Sequence, residues 1–203
     1  MCSWRNTVSE DSVSVADPWS EDHREDPYLQ PQTSMGSRGA RALWGIVYGL
    51  LFRLSPRPLH RWRAFLLRCF GARIGRDCHI YPKCEIWAPW NLQCGDVVAI
   101  ADGAVIYNPC RVVIGSHVTV SQQAYLCGAT HDLDRADFPM VSKEIVLEPY
   151  SWICARATVL AGITLHRGAV LALGAIATDD LQAWTVYGGN PAKQIRGRKR
   201  THD

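Results

Sequence analysis

Residues 74–92 read IGRDCHIYPKCEIWAPWNL, and an aliphatic side chain returns there at every sixth position: Ile74, Ile80, Ile86 and Leu92. After a two-residue slip the series continues as Cys94, Ile100, Ile106 and Val112, and after another as Ile114, Val120 and Leu126. An insertion interrupts it, and it resumes as Leu147, Ile153, Val159, Leu165, Leu171 and Ala177. A period of six matches neither the 3.6 of a helix nor the two of a strand. It fits a solenoid with three short flat faces per turn, each coil about eighteen residues long, in which every sixth side chain points inward and stacks on its counterpart one coil below. Small residues at Gly75, Gly95 and Gly115, and at Cys78, Cys84, Ala104, Ala124 and Ala157, fall where such a chain turns its corners.

Composition agrees with a packed core. Of 203 residues, 47% are apolar and 20% charged, which excludes disorder throughout. The net charge of +3 is too small to point to nucleic acid, and no nucleic-acid partner is expected. The charge is unevenly spread. Residues 1–37 hold seven acids against two arginines and read as a disordered acidic tail, whereas 38–76 hold nine arginines and no acid. The eight cysteines include no CxxC pair and no signal peptide precedes them, so free thiols in a reducing cytoplasm are expected. Several of them fall in inward or corner slots, as small buried hydrophobes do.

The longest apolar run, Ala42 to Phe52, is about half of a membrane span, so no transmembrane helix is expected. Residues 43–70 read instead as a helical pair broken at Ser55-Pro56-Arg57-Pro58. Leu59, Trp62, Phe65, Leu66 and Cys69 share helical spacing with Arg61, Arg63 and Arg68 beside them. Two uses fit that pattern equally: peripheral contact of 38–70 with an anionic membrane, or packing on the main domain or a subunit interface.

The hexads resemble those of the hexapeptide-repeat acyltransferases, and the chain is most similar within that family to the colanic acid biosynthesis acetyltransferases, more distantly to galactoside and maltose O-acetyltransferases. The residues that carry the resemblance are His60–Arg68, Ala88–Leu92, Ser121–Cys127, Thr130-His131-Asp132 and Gly188–Lys193, within about residues 40 to 200. It implies an all-β, left-handed parallel β-helix, an exception to the right-handed crossover preference. The expected organisation is an acidic tail over 1–37, outside the resemblance, an arginine-rich helical segment over 38–73, a β-helix over 74–182 with an insertion at 132–144, and a coenzyme-binding tail over 183–203.

Chemistry is expected where the repeat breaks, at Gly128-Ala129-Thr130-His131-Asp132. Acyl transfer to a hydroxyl needs a base that works near pH 7, which suits histidine. The resemblance makes His131 that general base and acetyl-CoA the donor, with a carbohydrate acceptor in surface or exopolysaccharide biosynthesis. It further implies Lys193 and Arg196 on the coenzyme's phosphates, the backbone of Ala155 and Leu173 along the pantetheine arm, Trp152 walling the tunnel and Thr178 at its end. Asp179 stands where relatives often carry lysine, and Asp102 is the nearest polar candidate for the acceptor.

The resemblance also implies a homotrimer with sites between neighbouring solenoids, in the cytoplasm or peripheral on the inner face of its membrane. No metal is expected, because His117 and His131 lack a zinc site's third ligand, and His79, His117 and His166 occupy outward slots. Cys127 is expected to pack rather than form an acyl-enzyme. Acetylation of a small free acceptor (sugar, antibiotic or serine) and a non-catalytic scaffold are the competing readings.

Overall fold

The structure is a computed structural model and describes residues 35–135 and 137–199. The tail expected over 1–37 lies outside the described residues except at 35–37, which open the first helix. Helix α1 (Met35–Val47) runs into a single π-helical stretch, Tyr48–Phe52, and after the Ser55–Pro58 break α2 (His60–Cys69) follows. Both helices pack on the first coils of the solenoid. Trp44 is buried against Phe52 and Phe70, with ring centroids 5.7 and 5.1 Å apart. Its indole N–H donates to the carbonyl of Ile86 at 2.7 Å.

Helix α2 buries little of its apolar stripe. Of the expected stripe only Leu66 goes inward, joined by Ala64, Leu67 and the fully buried Arg63, while Leu59, Trp62, Phe65 and Cys69 stay exposed. The reason is a ring of oxygens at the chain break. Arg63 donates from Nε to the carbonyl of Ile80 at 2.6 Å and from Nη1 to Ser55 Oγ and the Pro56 carbonyl, both at 2.8 Å. Its Nη2 reaches the carbonyl of Arg57. A guanidinium satisfied on all sides is tolerated inside a protein, and its five fixed donors dictate which face of the helix points inward.

From Arg73 onward the chain winds as a parallel β-helix of three sheets. The first holds β1 (Arg73–Ile74), β4 (Leu92–Cys94), β7 (Val112–Ile114), β12 (Ile145–Leu147) and β15 (Thr164–Leu165). The second runs β2 (His79–Ile80), β5 (Ala99–Ile100), β8 (Thr119–Val120), β13 (Trp152–Ile153), β16 (Val170–Leu171), β18 (Thr185–Gly188) and β19 (Lys193–Gly197), the last pair antiparallel. The third holds β3 (Glu85–Ile86), β6 (Val105–Tyr107), β9 (Tyr125–Cys127), β14 (Thr158–Val159) and β17 (Ile176–Ala177). A two-stranded antiparallel ribbon, β10 (Ala129–His131) with β11 (Met140–Ser142), leaves the solenoid after β9.

Register explains the slips in the hexad series. Ile74, Cys94 and Ile114 stack in line, so these coils take twenty residues, whereas the later coil from Leu147 to Leu165 takes eighteen. The extra pair sits in the first sheet, where β4, β7 and β12 each bury both end residues, and Leu92, Val112 and Ile145 form a second inward column. Ala104, Ala124, Ala157, Ala169 and Ala175 are fully buried at the corners. Cys84 and Cys94 share that interior, and burial pushes the Cys84 thiol up to about 12, so both pack as apolar groups.

The corner glycines mark where coils touch. A Cβ on Gly115 would lie 2.7 Å from the Pro149 nitrogen and 2.8 Å from its Cδ, with no flexible side chain to give way. Gly115→Ala is therefore expected to cost about 2 kcal/mol and to lower the melting temperature measured by circular dichroism.

Candidate active site

The insertion expected as a loop is pinned by its own contacts. Past His131, Asp132 Oδ1 accepts from the Asp134 amide at 3.1 Å, and Arg135 clasps Asp137 through two bonds of 2.9 and 2.8 Å. Arg135 holds the Asp137 carboxyl below the usual carboxylate range. The Phe138 amide returns to the carbonyl of Arg135 at 3.0 Å, and the Asp132 amide to that of Pro139 at 3.1 Å. Phe138 adopts φ of 38°, in the left-handed region that side chains disfavour.

That conformation presents the Phe138 carbonyl to His131. His131 Nδ1 lies 2.6 Å from it. A carbonyl only accepts, so Nδ1 carries the hydrogen, and in the neutral ring the lone pair is then on Nε2. The imidazole is exposed, held at one nitrogen and open at the other, as a proton acceptor must be. Opposite His131 in the ribbon stands Met140, whose sulfur accepts from the Tyr107 hydroxyl at 3.8 Å, tying the ribbon to β6. Cys127 donates to the Ala129 carbonyl at 3.2 Å, which occupies the thiol in bracing the start of the ribbon.

The other candidate residues divide into two groups. The second sheet carries most of the coenzyme set toward one end: Trp152 on β13, Leu173 just past β16, Lys193 and Arg196 on β19. Trp152 is exposed, and its indole N–H donates to Ser121 Oγ at 2.8 Å. Ala155 and the exposed Leu173 occupy equivalent corners of adjacent coils. The Ala155 carbonyl accepts from the Gly174 amide at 3.0 Å, leaving its own N–H as the group to offer. Lys193 and Arg196 are exposed, and Arg196 donates to the carbonyl of Gly197 at 3.0 Å.

Thr178 and Asp102 are engaged within the chain. Thr178 Oγ1 donates to Asp179 Oδ2 at 3.0 Å, so the acid standing in the lysine position captures the hydroxyl. Asp102 accepts from Arg57 Nη2 at 2.7 Å and from the Lys83 amide at 3.1 Å, clamping the break before α2 onto the solenoid. The outward histidines are also engaged: His117 stacks on Tyr150 at 4.8 Å, His79 on His60 at 4.9 Å, and His166 Nδ1 lies 3.1 Å from Glu148. Among the described residues no three His, Cys, Asp or Glu side chains converge as a metal site requires. No helix among them is long and apolar enough to cross a membrane.

The Phe138 carbonyl escapes sequence reading. Its role depends on a backbone turn, and backbone oxygens leave no mark in residue identities.

The chain is thus a parallel β-helix of stacked hexads whose winding is interrupted after the third coil by the ribbon that carries His131. A scan against models of known protein families finds no match. The chain is 38% identical over 170 residues to the "Putative colanic acid biosynthesis acetyltransferase WcaF" of Escherichia coli, an overlap of 82% of this chain and 93% of that protein. Among solved structures it is similar to a hexapeptide-repeat acetyltransferase of Vibrio cholerae in complex with acetyl-CoA, with a TM-score of 0.76 and 24% identity, covering 84% of this chain and 93% of that one. A maltose O-acetyltransferase from Clostridium difficile gives 0.75 at 19% identity, covering 82% and 90%. The chain belongs to the hexapeptide-repeat acetyltransferases.

Proposed function

We propose that the protein transfers an acetyl group from acetyl-CoA to a hydroxyl of a sugar or glycan precursor of a surface polysaccharide. The observation that carries this reading is the bond from His131 Nδ1 to the Phe138 carbonyl at 2.6 Å, which supports Nε2 of the neutral ring as the base. Nε2 takes the hydroxyl proton as that oxygen attacks the thioester carbonyl, and backbone N–H groups steady the oxyanion. The C–S bond then breaks, and the coenzyme leaves as a thiol with the proton returned from Nε2. The names of the relatives support acetyl transfer and a saccharide acceptor.

Coenzyme binding is assigned to the second sheet. Trp152 and the Ala155 N–H line the pantetheine arm with Leu173. Because Asp179 occupies the Thr178 hydroxyl, the phosphate contacts fall to Lys193 and Arg196. The Lys193→Ala/Arg196→Ala variant is expected to raise KM for acetyl-CoA about tenfold and leave kcat nearly unchanged, as steady-state kinetics would read.

His131 leaves the solenoid after the third sheet, whereas most of the coenzyme set lies on the second, and no hydrogen bond within the described residues joins them. A homotrimer that sets one chain's ribbon against the next chain's second sheet would unite them. The acceptor is tested by thiol release from acetyl-CoA across free sugars, nucleotide sugars and lipid-linked oligosaccharides. Turnover with the glycan acceptors is expected, and turnover confined to small free acceptors such as serine would overturn the reading.

A further inference from the structure

Helix α2 and the first coil enclose a cleft of about 690 Å³ whose walls are dominated by cations. Arg61 projects from α2, exposed and without a partner among the described residues. Arg68 gives Nε and Nη2 to the carbonyls of Ile74 and Gly75, at 2.8 to 3.1 Å, and keeps Nη1 unengaged. Arg76, its charge met by Asp96 at 2.9 Å, and His79 complete this wall, and Asp77 is the one acid among the residues that line the cleft.

Phe65 belongs to the same cleft and is 52% exposed, so it carries the wall outward onto an apolar face. It stacks on Trp62 at 5.8 Å, and the Trp62 indole donates to the carbonyl of Leu51 at 3.0 Å, which joins α2 to the end of the first helical segment. There Leu50 and Leu54 are 65% and 73% exposed. Arg53 flanks this face, and no acid occurs anywhere from 38 to 76. Burying Arg63 inward is what turned the apolar stripe outward beside the cleft.

We propose that this end of the molecule docks on an anionic phospholipid surface. A headgroup phosphate enters the cleft beside Arg61 and Arg68, while Trp62, Phe65 and the leucines sink into the boundary between headgroups and acyl chains. Arginines on an anionic leaflet gain Coulomb attraction, and a tryptophan with its N–H satisfied suits the boundary layer. The docking is independent of which acceptor the enzyme uses, and its readout does not involve acetyl transfer.

The test is sedimentation of the full chain with phosphatidylcholine vesicles, with and without phosphatidylglycerol. Binding is expected only with phosphatidylglycerol. Arg61→Glu should weaken it about fivefold or more, and Trp62→Ser/Phe65→Ser about tenfold or more. All three side chains are exposed, so unchanged melting curves would certify the variants. Equal partitioning on neutral and anionic vesicles, or undiminished binding by either variant, overturns the proposal. So does inorganic phosphate binding by calorimetry that Trp62→Ser/Phe65→Ser retains while the unaltered chain ignores vesicles, which would make the cleft a free-phosphate site. A smaller assembly for that variant in light scattering, again without vesicle binding by the unaltered chain, would make the face a contact between copies and overturn it equally.

Discussion

Replacing His131 with alanine is expected to lower the rate of acetyl transfer about a thousandfold while acetyl-CoA binding, read by calorimetry, stays within a factor of two or so. The rate falls because no other imidazole stands on the described part of the ribbon. The carboxylates of Asp132 and Asp137 are turned to the Asp134 amide and to Arg135. His131→Asn separates position from chemistry, since its amide N–H can still serve the Phe138 carbonyl but provides no base. It should keep the thermal stability of the parent and lose as much rate as the alanine variant. Turnover by either variant at the parental rate would remove His131 from the reaction. Arg135→Ala, which frees Asp137 and loosens the turn, should reduce kcat with a smaller effect on KM for acetyl-CoA, because in the proposed mechanism the ribbon orients the base and the second sheet holds the coenzyme.

The solenoid is legible in the sequence because one physical demand recurs at every coil: the interior admits one aliphatic side chain per face, and a period of six is the only record such a demand can leave. The slips at Leu92/Cys94 and Val112/Ile114 are visible as breaks in that period, but their meaning is not. Two inward residues on one strand require the first sheet to be wider than the others, a property of the coil and not of any hexad. His131 is legible as the histidine at the repeat break, whereas its orientation by a backbone carbonyl across the turn is not. Neither is the capture of Thr178 by Asp179, although the acid at that position is plain in the sequence. What the sequence leaves open at α2 has a different cause. Amphipathic periodicity assumes that arginine faces water, and Arg63 instead meets oxygens from the chain break and from the first coil, two segments whose convergence only the tertiary fold supplies.

That convergence makes Arg63 the single side chain on which docking of the helical pair most depends. Arg63→Ala would leave the carbonyls of Pro56 and Arg57 and the Ser55 hydroxyl without their donor beneath a cavity the size of a guanidinium. Each buried acceptor so stranded costs roughly 1–3 kcal/mol, less what entering water restores, so a loss on the order of 4 kcal/mol is expected. Arg63→Lys should recover little of it, because one ammonium cannot reach oxygens that a five-donor fork spans. The loss should fall on the pair before the solenoid, whose stacked aliphatic columns do not involve Arg63. Trp44, packed on Phe52 and Phe70 with its indole on the Ile86 carbonyl, reports that undocking by fluorescence, and the β-helix reports separately by far-ultraviolet circular dichroism. Two separated transitions in the alanine variant are expected where the parent shows one. Burial draws the Arg63 pKa down from its ordinary value, a sign of the desolvation that its hydrogen bonds must offset. A single unshifted transition would therefore mean that the penalty and the bonds cancel, and that the aromatic cluster around Trp44 alone docks the helices.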